Sequence, residues 1–396
     1  MGISMKKLFF VSTALILASA PFAAHAQDWK VDGSLGGSLG TTSNVLAAPS
    51  NETSDTVYGG SGKVTLSTES EAGSFSVYGS FDLTHYADAE DENADDYAFG
   101  ADGSLKFEGG DLFAGASHAL NTEDRRKVTA RRDTRSPTES TDDSFDIGFN
   151  ARLGGVGLMA RADYVTSDFE DARHRITNAV VDHDFRDRGT WTETVRVTGS
   201  PDADVSLFAQ VVFTQVDYDL KPPASLHDRD SEGYTASLGA TFDITDQLSG
   251  EVSVGWSGRS FDEPAFDDAS DVVVDADLTW TVTSDTTITL AAARGFEEST
   301  APLSPIYVAT AVGASITHSY SPDFKVKAYI GQEWDDHENR DRQDTTGAAG
   351  VSAAWKVASN AELSAAYDFS TQDSDGVHAI PGYDDGRWTV GFKVGF

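Results

Sequence analysis

The sequence predicts an all-β fold, a transmembrane antiparallel up-and-down β-barrel of 18 strands with both termini on the periplasmic side. Three observations carry this reading. Segments in which apolar residues alternate with small polar ones recur from residue 29 to the last residue. The connections between them alternate strictly between tight turns and long loops. The chain opens with the pattern of a secretory leader and closes on an aromatic residue in a period-2 strand.

The leader comes first. Lys6 and Lys7 precede an apolar run, Leu8 to Ala18, too short to cross a bilayer as a helix. Ala24-His25-Ala26 places small residues at −3 and −1 of a cleavage site before Gln27. Residues 1–26 therefore read as a signal peptide and 27–396 as the barrel, bound for the bacterial outer membrane. Beyond Gln27 no window approaches the roughly 18 to 20 continuous apolar residues of a transmembrane helix. Without the leader, 27 Lys+Arg face 64 Asp+Glu, a net charge of −37. Such a surface repels phosphate backbones and argues against nucleic acid as a partner. The absence of cysteine excludes disulfide scaffolds, thiol catalysis and Cys-ligated zinc.

The strands follow in order. In 29–39, Trp29, Val31, Leu35 and Leu39 alternate with Lys30, Asp32, Ser34 and Ser38. In 74–83, Phe75, Val77, Phe81 and Leu83 oppose Ser76, Tyr78, Ser80 and Asp82. The pattern returns in 97–107, 234–244 and 324–334, with a second face mainly of Ser, Thr, Gly, Asp and Lys, as a water-filled lumen requires. Eighteen segments fit: 29–43, 56–69, 73–86, 95–108, 110–119, 142–153, 155–166, 188–199, 203–218, 231–245, 247–260, 271–283, 285–297, 307–320, 323–336, 345–357, 360–371 and 385–396. Eight tight turns alternate with nine longer loops, the longest being 120–141 and 167–187. Two segments are weak, 110–119 because Phe113 breaks its face and 188–199 because Glu193 shares a side with Trp191, Val195 and Val197. Without them the barrel would have 16 strands. The last segment sets Trp388, Val390, Phe392, Val394 and Phe396 on one face. A terminal aromatic on such a strand resembles the signal read by the barrel-assembly machinery.

Several stretches together carry a family likeness. They are Arg186-Asp187-Arg188, Val216-Asp217-Tyr218-Asp219, the run from Arg229 to Tyr234, Val254-Gly255-Trp256, Leu278-Thr279-Trp280 and Asp285-Thr286-Thr287. From about residue 140 onward the chain resembles the outer-membrane β-barrel porins of proteobacteria, some of which accompany exopolysaccharide secretion genes. That resemblance implies an outer-membrane barrel and brings no catalytic residues to carry over.

Candidate functional residues come from charge placement. Arg125, Arg126, Lys127, Arg131, Arg132 and Arg135 form the densest basic run in an acidic protein, within the third long loop. Arg173, Arg175, Arg186 and Arg188 stand in or beside the fourth, with Asp182, Asp184 and Asp187. Three readings are open for the basic run: a loop folded into the pore as a constriction, a contact with lipopolysaccharide phosphates, or plain surface charge. Its length of 22 residues points to constriction, since loops this long usually carry function. Along the wall, Lys63, Lys106, Arg152, Arg161, Asp163, Asp243, Glu251, Arg259, Asp275, Asp277, Lys325 and Lys327 are expected to face inward and mix both signs. Two acidic loops, Asp88 to Asp96 and Asp335 to Asp344, could hold Ca²⁺ or Mg²⁺ loosely, but neither has the EF-hand spacing. No dedicated metal site or cofactor is expected.

No nucleophile–base arrangement stands out, so catalysis is not expected. Tyr78 and Tyr329 are the clear inward aromatics, too few for a sugar-guiding ladder. The expected function is passive diffusion of small hydrophilic solutes. The alternative is a non-porin barrel serving exopolysaccharide export or surface structure. Outer-membrane lipid and lipopolysaccharide are the expected surroundings.

Overall fold

The computed structural model describes residues 29–220, 227–245, 247–301 and 304–396. The expected signal peptide lies outside the described residues. The described residues form one closed antiparallel sheet of 18 strands and almost no helix. In order these are β1 (Trp29–Thr42), β2 (Asp55–Ser70), β3 (Gly73–Tyr86), β4 (Ala94–Phe107), β5 (Gly110–Thr122), β6 (Glu139–Leu153) and β7 (Val156–Phe169). A two-residue ribbon, β8 (Ala172–Arg173) and β9 (Val180–Val181), lies in a loop outside the wall. The wall resumes with β10 (Arg188–Gly199), β11 (Val205–Tyr218), β12 (Ser231–Thr245), β13 (Leu248–Phe261), β14 (Ala269–Thr283) and β15 (Thr286–Glu298). It ends with β16 (Ile306–Ser321), β17 (Phe324–His337), β18 (Gln343–Ala358), β19 (Ala361–Asp375) and β20 (Tyr383–Gly395).

Every expected segment is a strand, and 18 rather than 16 is the count. The two weak segments are full members. Glu193 points to the outer face, and its strand pairs over its whole length with β7 and β11. Phe113 turns into the lumen, where its ring lies over Gly148 and fills the space a Cβ there would need.

Closure follows from the solvent. In hydrocarbon each backbone N–H and C=O must pair internally, so the sheet can have no free edge. β20 pairs with β1 from Ser34↔Gly395 to Thr42↔Arg387 and seals the seam. Glycines on β1 make this close: the Phe396 ring covers Gly33 and the Phe392 ring covers Gly37, where a Cβ would stand 2.2 and 2.8 Å from ring carbon. Trp29, Phe396 and the tight turns share one rim, and the long loops crown the other. The outer face is apolar, with exposed aromatics near each rim. Tyr58, Tyr97, Trp191, Tyr234, Trp256 and Trp388 stand toward the loops, and Trp29, Phe107, Trp280, Tyr320 and Trp355 toward the turns. This is the pair of aromatic girdles that borders the apolar band of a membrane barrel. Strands of 12 to 16 residues exceed the roughly 9 to 11 that cross such a band. The surplus lifts the loop rim clear of it and leaves room for a built entrance.

A candidate constriction at the loop rim

The loop 123–138 between β5 and β6 does not stand upright. Lys127 N–H bonds to Asp124 O at 3.0 Å and Ala130 N–H to Lys127 O at 3.1 Å, which coils the segment into successive turns. Arg125 then acts as an internal strut. Only 4 % exposed, it donates to both carboxylate oxygens of Glu92 (2.8 and 3.0 Å) and to Thr134 Oγ1 and O. A buried guanidinium needs this full set of acceptors, because desolvation is offset only when the remaining donors are satisfied. Arg186 clamps Glu123 with two bonds of 2.9 and 3.1 Å, tying loop 170–187 to the same structure.

From there the loop reaches across the lumen. Tyr383 Oη donates to Arg126 O at 3.0 Å, and Arg132 donates to Pro381 O and Gln372 while stacking on the Tyr383 ring. On the far side Thr300 Oγ1 donates to Thr129 O at 3.1 Å. The β15–β16 connection that holds Thr300 lies about half-way round the sheet from β5 and β6. Loop 123–138 is therefore a crossbar over the barrel.

Beneath it is a throat, a cavity of about 1000 Å³ lined by residues of β4–β7, β10, β11 and β15–β20 and of the loops above them. Arg186, Arg188 and Arg229 contribute cations from one side and Arg126 and Lys127 from the loop, while the anions are Glu297, Glu298 and Glu333 of β15 and β17, Asp96 and Asp142 of β4 and β6, and Glu123 and Asp124 of the loop itself. Arg186 lies 4.0 Å over the Phe169 ring, Arg188 5.6 Å from it, and Arg229 4.8 Å over Tyr218. Guanidinium groups on aromatic faces are held in place without losing their charge. Burial pushes the Asp124 carboxyl up, but the hydrogen bonds and charge of Arg126 outweigh it and hold the pKa at about 2. Burial dominates at Asp187, whose carboxylate accepts from Phe169 N–H at 2.7 Å, and carries its pKa up to about 6, with Asp168, Asp184 and Asp219 adding to the rise.

The six cations singled out in the sequence separate. Arg126 and Lys127 line the throat. Arg125 is the buried strut and does not face the pore. Arg131 pairs with Asp133 at 2.7 Å, Arg132 bridges to β19, and Arg135 sits exposed on Asp91 at 2.9 Å. Along the wall, register puts Lys63, Lys106, Arg152, Arg161, Asp163, Asp243, Glu251, Arg259, Asp275, Asp277, Lys325 and Lys327 on the inner face. Several are paired: Arg152 with Asp202 and Arg196 with Glu251 at 2.7 Å, Arg161 with Asp163 at 2.6 Å, and Arg259 with Glu298.

One expectation is corrected. Tyr78 and Tyr329 do face inward, but so do Phe113, Phe169, Phe208, Tyr218, Tyr307 and Tyr383. Most of these stand at the loop ends of strands, above the alternating stretch that reveals orientation in sequence. The acidic loops do not converge on one point either. Glu92 serves Arg125 and Arg175, Asp95 contacts His85, and Asp344 is held by His337 and Arg342. Among the described residues, the carboxylates that gather within ligand distance of one another are Asp171, Asp182 and Asp184, all exposed.

His337 also joins Asp344 (3.0 Å) to the hydroxyls of Ser299 and Ser304 (3.4 and 3.5 Å). The atom order is that of a hydrolytic triad. Ser304, however, donates to Ile306 O, and Ser299, His337 and Asp344 are each almost fully buried. The network bolts loop 299–305, the far anchor of the crossbar, to β17 and β18.

No curated protein matches the sequence. Among solved structures, OccK1 (OpdK) of Pseudomonas aeruginosa superposes with a TM-score of 0.49 at 9% identity, covering 94% of this chain and 100% of that one. OccK2 (OpdF) of the same organism, in complex with glucuronate, gives 0.48 at 10%, covering 94% and 99%. The siderophore receptor PirA of P. aeruginosa gives 0.45 at 10%, covering 93% and 80%. The family described as "Putative beta-barrel porin 2" matches residues 21–396, and with its closed 18-stranded wall the chain belongs to that family of bacterial outer-membrane barrels.

Proposed function

We propose that the protein is a diffusion channel for small hydrophilic solutes, with its loops toward the exterior and both termini in the periplasm. One observation carries this: the crossbar narrows the barrel without filling it, leaving a polar throat of about 1000 Å³. Barrels of 16 to 18 strands leave an aqueous channel unless loops close them. Here the loop is braced at both ends, so the aperture is a fixed feature. Cations from β10, loop 227–230 and the crossbar face anions from β15 and β17, with Asp96, Asp142, Glu123 and Asp124 interspersed, and this mixture of signs favours hydrated polar solutes over any single ion. No cofactor or catalytic step enters this reading.

Single-channel recording in a planar lipid bilayer tests it. The refolded protein is expected to give discrete conductance steps, and Arg126→Gln with Lys127→Gln to shift ion selectivity toward cations. A folded barrel that passes no current would overturn the channel reading and favour a role in export or surface structure.

A further inference from the structure

Above the throat, between the crossbar and the surrounding loops, lies a second cavity of about 620 Å³. Its walls are of a different kind. Val128, Phe185, Phe266 and Ile380 give it apolar sides, and arginines from four loops converge on it with one acidic residue, Asp182. In a protein of net charge −35 this is a local inversion of sign. Most of these cations are already matched: Arg131 by Asp133, Arg186 by Glu123 and Arg342 by Asp344. Arg229 is different. It donates to the carbonyls of Ser299 and Pro305 and stacks on Tyr218, and among the described residues no carboxylate lies within ion-pair distance. Carbonyls fix the guanidinium in position without placing an opposite charge in contact with it. His183, fully buried, also lines this cavity, and its Nδ1 has no hydrogen-bond partner.

We propose that this vestibule is a binding site for a small organic carboxylate with a flat apolar body, its anionic group at Arg229 and its body against Phe266, Phe185 and Ile380. The volume lies within the roughly 300 to 1,000 Å³ of small-molecule sites, which are typically apolar with a few placed polar groups. Selectivity follows from the two halves of the site. A hydrophilic anion finds charge but leaves the apolar wall wet, and a neutral aromatic leaves Arg229 desolvated and unpaired. Arg229 lies on the partition shared with the throat, so a bound ligand stands directly over the entrance. Binding itself does not depend on conduction.

The test uses the full chain in lipid nanodiscs, with empty nanodiscs subtracted, titrated calorimetrically with 1-naphthoate, 1-naphthamide and propionate. Saturable one-to-one binding of naphthoate is expected, with naphthamide and propionate each at least tenfold weaker. Arg229→Gln should weaken naphthoate at least tenfold. Because that change also frees two loop carbonyls, Val128→Trp serves as a second variant: it fills the cavity while keeping every anchor, and should abolish binding. Heat-modifiable gel mobility reports that each barrel is folded. Equal affinity for naphthoate and naphthamide, or unchanged affinity in Val128→Trp, would overturn the site. Conductance without naphthoate affinity sinks this proposal alone, and affinity without conductance sinks the channel reading alone.

Discussion

Asp187 shows how a single carboxyl tunes the entrance. It caps the turn before β10 and receives the Phe169 amide, while burial raises its pKa from 3.8 to about 6. The folded protein thus keeps a proton that the unfolded chain has released, so its stabilising contribution is present below about pH 4 and lost as the pH rises through about 6. Asp187→Asn removes that dependence. At pH 7 the variant is expected to protect loop 170–187 from protease better than the native protein, and at pH 4 the two should be alike. A difference that persists at pH 4 would assign the effect to something other than ionisation. Arg125 makes the opposite kind of contribution. Glu92→Gln leaves its buried charge uncompensated, which costs about 3 kcal/mol or more. Trypsin should then cut at Lys127 and Arg131 in the variant under conditions where the native crossbar resists.

At the scale of elements, the wall was legible in the sequence because period-2 alternation is the same signal that sorts lipid from water. Each of the 18 segments survives within a few residues. The two uncertain ones are instructive. Glu193 looked like a fault in 188–199, yet β10 holds it on the outer face between Trp191 and Val195 because both ladders are complete and their hydrogen bonds outweigh one misplaced carboxylate. Its cost should be measurable. Glu193→Leu is expected to raise stability by about 1 kcal/mol in urea titrations of the lipid-embedded barrel, since acidic residues on the lipid face are penalised less than the 2 to 4 kcal/mol of Lys or Arg. A loss of stability would mean that Glu193 has a partner outside the chain.

At the scale of the whole molecule, the throat was only partly legible. The basic run in 123–138 marks the loop that crosses the barrel, but not which of its cations line the throat. Arg125 and Arg126 are adjacent in sequence yet meet different surroundings, one sealed against Glu92 and the other facing the lumen. Phe169, Tyr218, Glu297 and Glu333 belong to strands far apart in sequence and meet only because the sheet closes. No local pattern announces such a meeting. The account rests on the crossbar, and one measurement tests it directly: single-channel conductance of the native barrel beside a variant in which residues 125–134 are replaced by a short Gly/Ser link. The expected result is discrete steps in both, at least twofold larger in the variant and with altered ion selectivity. Equal conductance in the two, or none in the native protein, would contradict it.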